Sequence, residues 1–255
     1  MAALLAALPA VPAHAEAPLV LAFDELLPWK TEDNGVYGGA YTEIVRELAR
    51  RSGLALDIRN CPLKRCLLML EQGSADIIIG LRETPERKAY LRFLHTPYRE
   101  HGADRVFYVP AGRQTVIRGY ADLAQLRIGV KLGAEYFERF DQDKSLKKEA
   151  VKDMEANFRK LALGRIDAVL IPEDQGEALI ADLHLEGRLE KAPYRVPDHD
   201  AQRSIAVSRK SVTPQRLEVL ERAMRDMARD GTLAALYKRY YYDAYHIPAT
   251  NVQIK

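Results

Sequence analysis

The chain has 255 residues, with 38 Lys plus Arg against 36 Asp plus Glu, and its formal net charge at pH 7 is +2. A charge this small, spread over a sequence of mixed sign, does not indicate nucleic acid or an anionic membrane as the partner. With 47% hydrophobic residues and no long biased tract, the composition is that of an ordinary globular protein, and the length allows one large domain or two modest lobes.

The N-terminus has the pattern of an exported protein. A short apolar run from Ala2 to Val11 leads to Ala13-His14-Ala15, the small-x-small pattern that a signal peptidase cleaves. We therefore predict a signal peptide over residues 1–15 and a periplasmic mature protein. The positively charged start of such peptides is missing, which a truncated start or a mis-chosen initiator would explain. The alternative is a buried N-terminal helix.

The two cysteines, Cys61 and Cys66, lie five residues apart. In an oxidising compartment, an even pair this close is typical of a disulfide, here one that would join a loop to the first turn of a helix. A structural zinc site would need four ligands, and no nearby His or second Cys pair supplies them. Two reduced thiols are the remaining alternative, because a small loop is bridged only if the two Cα atoms come within ~7 Å.

Strand and helix patterns alternate from residue 18 onward. A β-rich run at residues 18–23 is followed by a turn-rich stretch at 31–35 and by an amphipathic helix that ends near Arg51-Ser52-Gly53. Further elements predicted for this first α/β unit are a strand at 54–58, a helix from Cys66 to near Gly73 and a buried strand at 75–80.

The same alternation starts again after residue 112. The elements predicted for this second unit are a strand at 126–130, helices at 134–140 and 151–163, and a strand at 165–171. After a loop at 193–202 come only a strand at 204–207 and a helix from Pro214 to Arg229. Two similar α/β units predict two lobes, and the closing elements are predicted to return to the first. The tyrosines between 237 and 245 have the spacing of a packed helix, which disfavours a nucleic-acid surface.

Several short motifs follow one another along the chain. The longest is GSADIIIGLRETPER at residues 73–87, with Phe93 and Thr96-Pro97-Tyr98 after it. In their order and spacing the motifs together resemble the family 3 bacterial solute-binding proteins, the polar amino-acid receptors of ABC importers. The other motifs are Pro28-Trp29, Tyr37-Gly38-Gly39-Ala40-Tyr41, Asp122-Leu123 before Ile128-Gly129-Val130, Gly164-Arg165-Ile166-Asp167-Ala168-Val169, and Arg229-Asp230-Gly231-Thr232 with Lys238-Arg239-Tyr240.

This resemblance implies the two-lobed periplasmic-binding-protein fold of type II, an α/β fold whose hinge has two crossing strands. We predict lobe 1 over residues 16–104 and 204–255 and lobe 2 over residues 105–203, with hinge motion around 104–109 and 200–204. The implied ligand is a small carboxylate-bearing molecule, amino-acid-like or anionic. The implied partner is the permease of an ABC importer, and we expect a monomer with no cofactor and no metal.

The predicted ligand site depends most on Arg87. This residue follows the carboxyl end of a predicted strand, where open α/β sheets place ligands, and its guanidinium can hold a carboxylate through two charge-assisted hydrogen bonds. Thr84 and Pro85 are predicted to begin a short helix whose free N–H groups face the same anion. The alternative is a solvated arginine paired with Glu83 or Glu86.

Further candidate ligand contacts come from both predicted lobes. Gly133, Ala134 and Glu135 lie where the family often has Gly-Thr-Thr, and a helix starting there would offer unpaired N–H groups. Apolar walls are typical of such pockets, which makes Trp29, Tyr41 and Leu63 candidates as well. For Tyr41 and Leu63, simple core packing is an equally good alternative.

Two departures from the family pattern bear on the ligand. Pro172 stands where the family usually has an Asp that binds the ligand's ammonium group, so either Glu173 or Asp174 takes over or the ligand has no ammonium. Arg82, which follows Leu81 in the predicted site, replaces a small hydroxylic residue. Its added positive charge favours an anionic ligand, with a plain surface location as the alternative.

A binding protein without catalytic residues is the predicted function. The alternative is an enzyme similar to cyclohexadienyl dehydratase, an activity that has arisen on the same scaffold. Such an enzyme would need a carboxylic acid of raised pKa in the cleft to protonate a leaving hydroxyl. Glu173 is the only candidate acid that the spacing offers.

Overall fold

The computed structural model describes residues 17–112, 117–198, 202–252 and 254 of the chain. The predicted signal peptide, residues 1–15, lies outside the described residues. In the described part of the chain, no helix is both long and apolar enough to cross a membrane. The strands form two five-stranded sheets and one two-stranded hairpin.

The first sheet is built from β1 (Leu19–Phe23), β4 (Leu56–Asn60), β5 (Ile77–Ile78), β6 (Leu91–Phe93) and β12 (Ala206–Ser208). Their order is β4-β1-β5-β12-β6, with β1 parallel to β4 and β5 and with β12 antiparallel to its two neighbours. The helices of this unit are α1 (Ala40–Arg51), α2 (Leu63–Gln72), α3 (Pro85–Lys88), α7 (Pro214–Arg229), α8 (Thr232–Tyr237) and a π-helical segment (Lys238–Asp243). The hairpin consists of β2 (Thr31–Asp33) and β3 (Val36–Gly38).

The second sheet is built from β7 (Arg105–Pro110), β8 (Arg127–Lys131), β9 (Lys147–Val151), β10 (Ala168–Pro172) and β11 (Leu189–Val196). Their order is β11-β7-β10-β8-β9, with β10 parallel to β8 and antiparallel to β7. A 3-10 helix (Tyr120–Gln125), α4 (Glu138–Gln142), α5 (Met154–Ala162) and α6 (Glu173–Asp182) belong to this unit.

Each sheet has its own core, and two segments of chain connect the sheets. Residues 94–104 lead from β6 to β7, and residues 197–205 return from β11 to β12. Where the segments cross, the Arg203 amide donates to the Arg99 carbonyl at 2.8 Å, and the Arg99 amide donates back at 3.3 Å. After the second crossing, α7 and α8 pack their apolar side chains into the core of the first sheet.

Helix α7 has the bounds that the sequence predicts. Thr213 caps it by accepting a hydrogen bond from the Arg216 amide, and Pro214 occupies the first turn, where its missing N–H costs nothing. The predicted packing of the closing tyrosines is also confirmed. Tyr237 and Tyr241 are buried, and the Tyr241 ring stacks on Trp29 with centroids 4.6 Å apart.

The prediction of a helix over 134–140 is wrong, because α4 begins only at Glu138. Local hydrogen bonds hold the preceding residues in an irregular loop. The Lys131 amide donates to the Tyr136 hydroxyl at 2.8 Å, and the Tyr136 amide donates to the Asp141 carboxylate at 3.0 Å. The interpretation of residues 193–202 as a loop is partly wrong as well, since β11 continues to Val196.

Candidate functional site

A cleft between the two sheets consists of two adjoining compartments. We call the larger one, about 660 Å³, the apolar compartment, and the smaller one, about 380 Å³, the arginine compartment. Gly80 lines both from the side of the first sheet, and Arg105, Gly133 and Pro172 line both from the side of the second. Gly80 and Pro172 lie at the carboxyl ends of β5 and β10, the position at which open α/β sheets bind ligands.

The apolar compartment brings together side chains from both lobes. Leu63, at the start of α2, is 38% exposed and faces this space, and Leu81 lines the same wall. Leu132 and Tyr136 line the opposite wall. The core-packing alternative for Leu63 is therefore disfavoured, because its side chain is partly open to the cleft.

The disulfide supports this wall. Cys61 and Cys66 are joined in the structure, with Cα atoms 5.5 Å apart, which confirms the predicted pairing. Cys61 itself lines the apolar compartment, while Cys66 is fully buried in the first turn of α2. The bridge thus fixes the start of α2, and with it Leu63, against the end of β4.

Arg87 lines the arginine compartment. Thr84 caps the short helix α3 by accepting a hydrogen bond from the Arg87 amide at 3.3 Å, and Pro85 follows in the first turn. The Arg87 guanidinium donates one hydrogen bond to the Arg82 carbonyl at 2.7 Å. Glu83, one of the two carboxylates proposed as its solvated partner, pairs with Lys88.

Asp198 is the acidic centre of the arginine compartment. Its carboxylate lies 2.7 Å from Arg203, 3.2 Å from Arg82 and 3.3 Å from Arg105. Gly102 permits this convergence, because a Cβ at that position would collide with the Asp198 carboxylate. Burial lowers the pKa of Arg105, Asp198 raises it, and the neighbouring Arg82 and Arg203 lower it further. One carboxylate therefore forms ion pairs with three guanidinium groups.

A second, fully buried ion pair joins the lobes at the base of the compartment. Arg99, from the crossing segment, donates to the Asp174 carboxylate in α6 at 2.6 Å, and both side chains are 3% exposed. The Arg99 guanidinium also lies over the Trp29 ring, 5.3 Å from its centroid. Burial lowers the pKa of Arg99, but the Asp174 charge raises it well above its ordinary value, so the pair is ionic.

Trp29 and Tyr41 also line the arginine compartment. They are 2% and 4% exposed and stack on each other with centroids 5.0 Å apart. Burial raises the pKa of the Tyr41 phenol, with the Arg99 charge opposing the shift, so the phenol is neutral. These two side chains belong to the core of the first sheet and are almost completely buried.

Gly133, Ala134 and Glu135 form the opposite edge of the cleft. Gly133 has a φ of +75°, which favours glycine, so the sequence correctly marks a special backbone position. The expected helix N-terminus is absent, because the Ala134 amide donates to the Lys131 carbonyl at 3.1 Å and α4 starts four residues later. Glu135 is exposed at the mouth of both compartments.

Glu173 lies in a different place from the other predicted site residues. Its carboxylate accepts hydrogen bonds from Lys191 at 2.9 Å and from Arg195 at 2.8 Å. These side chains line a cavity of about 650 Å³, the rear pocket, together with Asp104 and Asn251. The next residue after Asp104 in β7, Arg105, points into the cleft, because successive side chains of a strand alternate between its faces.

The sequence did not single out Arg99, Arg105, Asp198 and Arg203 as site residues. They lie far apart along the chain and meet only where the two crossing segments pair. The feature of the sequence that could have indicated these residues is the high density of arginine around the predicted hinge segments. Among the described residues, no group of three His, Cys, Asp or Glu side chains could hold a metal ion.

Comparison with known proteins gives one family. The model of the bacterial extracellular solute-binding proteins, family 3, matches residues 19–243. The chain is 25% identical over 211 residues to the L-cystine-binding protein TcyJ of Escherichia coli strain K12, which covers 82% of this chain and 76% of that protein. It is 24% identical over 221 residues to the probable amino-acid-binding protein YxeM of Bacillus subtilis strain 168, with 84% and 80% covered.

Solved structures show the same architecture. An ancestral arginine-binding protein bound to arginine superposes with a TM-score of 0.70 at 22% identity, covering 89% of this chain and 100% of that one. The GluR0 ligand-binding core from Nostoc punctiforme in complex with L-glutamate gives a TM-score of 0.70 at 17% identity, with 88% and 99% covered. These neighbours confirm the two-lobed α/β fold of type II periplasmic binding proteins.

Proposed function

Because the chain belongs to the bacterial extracellular solute-binding proteins of family 3, we propose that it is a periplasmic receptor that delivers a small carboxylate-bearing ligand to an ABC importer. The observation that carries this proposal is the cleft, in which guanidinium groups from both lobes face one small space beside an apolar wall. Pockets of this kind, mostly apolar with few placed polar groups, are typical of small-molecule sites.

Arg87 is the proposed carboxylate anchor. Its guanidinium makes one hydrogen bond to a backbone carbonyl, and a planar fork has further donors with which to hold a carboxylate. Among the predicted contacts, Arg82 and Thr84 lie on the same side of the compartment, while Gly133 and Glu135 face them from the second lobe. Closure of the lobes would bring the two sides together around the ligand.

We further propose that the protein has no turnover. Glu173, the acid that the sequence offers for the dehydratase alternative, is held by two cations in the rear pocket and does not line the cleft. The two relatives named above are an L-cystine-binding protein and a probable amino-acid-binding protein.

A thermal-shift screen tests the proposed function. Protein stripped of bound ligand by unfolding and refolding is heated with amino acids, mono- and dicarboxylates, and prephenate-like acids. A ligand at a hundredfold excess over its Kd stabilises the native state by about 2.7 kcal/mol, which is readily detected. Stabilisation by acids, and not by the matching amides, supports the proposal, whereas stabilisation by amides alone or by no compound overturns it.

The same preparation tests the remaining expectations. We propose a monomer, which light scattering behind a sizing column would confirm by a mass near that of one chain. Delivery to a permease is measured as ATP hydrolysis by the reconstituted importer, which the loaded receptor should stimulate. Formation of product from prephenate or arogenate by the purified protein would contradict the absence of turnover.

A further inference from the structure

Two exposed leucines line the apolar compartment from opposite walls. Leu63, from the first lobe, is 38% exposed, and Leu132, from the second, is 58% exposed. Single exposed hydrophobic residues are common on protein surfaces and need no explanation. These two differ because they lie in one concave space, together with the buried side chains of Leu81, Tyr136 and Ile171. The cleft therefore has an apolar surface on both sides.

The backbone holds both leucines in place. Leu63 begins α2, whose first turn is fixed by the disulfide. Leu132 directly follows β8, and its amide donates to the Val151 carbonyl of β9 at 2.7 Å, which continues the pairing of these two strands. Because neither backbone position has to be ordered when a ligand binds, contact with the two side chains adds to affinity at a small cost in entropy.

Charged side chains also line this compartment, but they are paired or exposed. Asp24 lies 2.5 Å from Lys30, and Arg105 lies 3.3 Å from Asp198. The exposed ones are Glu25, Lys131 and Glu135. A polar group that entered between the leucines would lose water and gain no hydrogen bond from them, which costs free energy. An apolar group gains affinity from the same surface.

Resting on the proposed function, we propose that the ligand's carboxylate is attached to a branched or aromatic hydrocarbon group, which binds between Leu63 and Leu132. The carboxylate lies at Arg87 in the arginine compartment, and the hydrocarbon group extends past Gly80 and Pro172, which line both spaces. The apolar compartment, at about 660 Å³, has the size of a small-molecule pocket. The two leucines thus select the ligand by its side chain when the lobes close.

Calorimetric titration with pairs of similar shape tests this substrate class. Leucine and asparagine have branched side chains of nearly the same size, but asparagine carries an amide. Isocaproate and succinamate are the same pair without the ammonium group, and phenylalanine and histidine compare an apolar with a polar ring. We expect the apolar member of each pair to bind at least about tenfold more tightly, because each methylene group moved from water to an apolar surface contributes about fourfold in affinity.

The outcomes separate this inference from the proposed function. If the polar member binds as tightly as the apolar member in every pair, the inference is overturned and the proposed carboxylate receptor stands. If no compound of any pair binds, both are overturned. Tighter binding of the apolar members supports both.

Substitutions at the two leucines test the same inference from the side of the protein. Leu63→Asn and Leu132→Asn remove apolar surface from the compartment and nearly keep its shape. The chain offers a matched control for each. Leu68 lies on the same helix as Leu63 and is 48% exposed, and Leu163 follows α5 in the same lobe as Leu132 and is 62% exposed. Neither control position lines the two compartments.

We expect each cleft variant to lower the ratio of apolar to polar affinity by at least about threefold, and the double variant by about tenfold, measured with the pair that binds most tightly. Leu68→Asn and Leu163→Asn should keep this ratio within about twofold of wild type. All four positions are exposed, so the variants should fold, which circular dichroism checks. If the cleft variants change the ratio no more than the controls do, the leucines do not select the ligand and the inference is overturned.

Discussion

The arginine compartment and the rear pocket are both built from basic and acidic side chains, but they differ in how these side chains are paired. In the rear pocket, Lys191 and Arg195 face Glu173 and Asp104, and each cation is within 3.3 Å of a carboxylate. In the arginine compartment, three arginines converge on the single Asp198 carboxylate. A cluster of charged residues is therefore not in itself a sign of a ligand site. The proposed carboxylate anchor, Arg87, differs from the cations of the rear pocket because its guanidinium donates to a neutral backbone carbonyl.

Residues that are adjacent in the sequence line different cavities, one the rear pocket and the other the cleft. Asp104 lines the rear pocket and Arg105 the cleft, and Glu173 lines the rear pocket while Asp174 lines the arginine compartment. A shift of one residue along β7 or α6 thus changes which region a side chain serves. Substitutions can test whether the arginine compartment and the rear pocket act separately, and the first of these is at the buried ion pair between Arg99 and Asp174.

The largest effect is expected from Asp174→Ala. The substitution leaves the Arg99 guanidinium buried and without its carboxylate, which costs about 3–5 kcal/mol of unfolding free energy. Urea denaturation measures this loss. Asp57→Ala, which removes an exposed carboxylate paired with Arg59, is the matched control and should cost less than about 1 kcal/mol. Equal losses in the two variants would show that the buried pair does not anchor the lobes.

The next effect is expected at the ligand. Arg87→Ala should weaken binding of a carboxylate by about 2–5 kcal/mol, at least tenfold, because it removes one partner of a charge pair. Arg87→Lys should recover only part of this loss, since an ammonium cannot form the planar pair of hydrogen bonds. The stability of the ligand-free protein should be unchanged, because Arg87 is not part of the core.

Titration calorimetry measures the carboxylate affinity of both Arg87 variants. The control for loss of an arginine outside the cleft is Arg92→Ala, at an exposed position on β6. Arg92→Ala should bind like wild type. Equal affinity in all the proteins would mean that Arg87 is a solvated helix residue, as the alternative interpretation of the sequence has it.

The sequence predicted the fold better than it predicted the site, and particular residues show why. Apolar periodicity and end signals fix elements such as α7, whose bounds depend on Thr213 and Pro214 nearby in the chain. The edge strands β9 and β11 carry many charged residues and have little apolar pattern, so β9 was missed and β11 was predicted as a loop in its last part.

For the site, Arg87 and Leu63 could be placed because motifs carry them. The convergence on Asp198 depends on two crossing segments about a hundred residues apart, and no local pattern encodes it. For Glu173, a local pattern was present but suggested the wrong cavity. Its position after β10 suggested the cleft, but the first turn of α6 directs consecutive side chains to different faces, and only Asp174 lines the arginine compartment.

A third prediction concerns the wall of the apolar compartment. Replacing Cys61 and Cys66 by Ser should lower the unfolding free energy by roughly 2 kcal/mol, the loop-entropy value for a bridge this short. Urea denaturation of the variant, and of wild type with and without reductant, measures the change. Mass spectrometry of non-reduced periplasmic protein should find neither thiol open to alkylation. Two alkylated thiols would contradict the bridge and weaken the case for export.

The smallest effect is expected from Glu173→Gln, which tests the rear pocket directly. Glutamine keeps the shape of the side chain and one acceptor oxygen but removes the charge that Lys191 and Arg195 share, so we expect a loss of about 1 kcal/mol in unfolding free energy. Ligand affinity should stay within about twofold of wild type, because the rear pocket and the cleft have no charged side chain in common and the Glu173 charge is paired locally with Lys191 and Arg195.

Asp198→Asn is the matched substitution in the arginine compartment. It removes one negative charge from the cleft, at the carboxylate on which three arginines converge, so it should raise the affinity for an anionic ligand several-fold. Titration of both variants with the same ligand gives the contrast. If Glu173→Gln changes the affinity as much as Asp198→Asn does, the rear pocket and the cleft are one electrostatic unit. The separation drawn from the alternation of Asp104 and Arg105 would then be wrong.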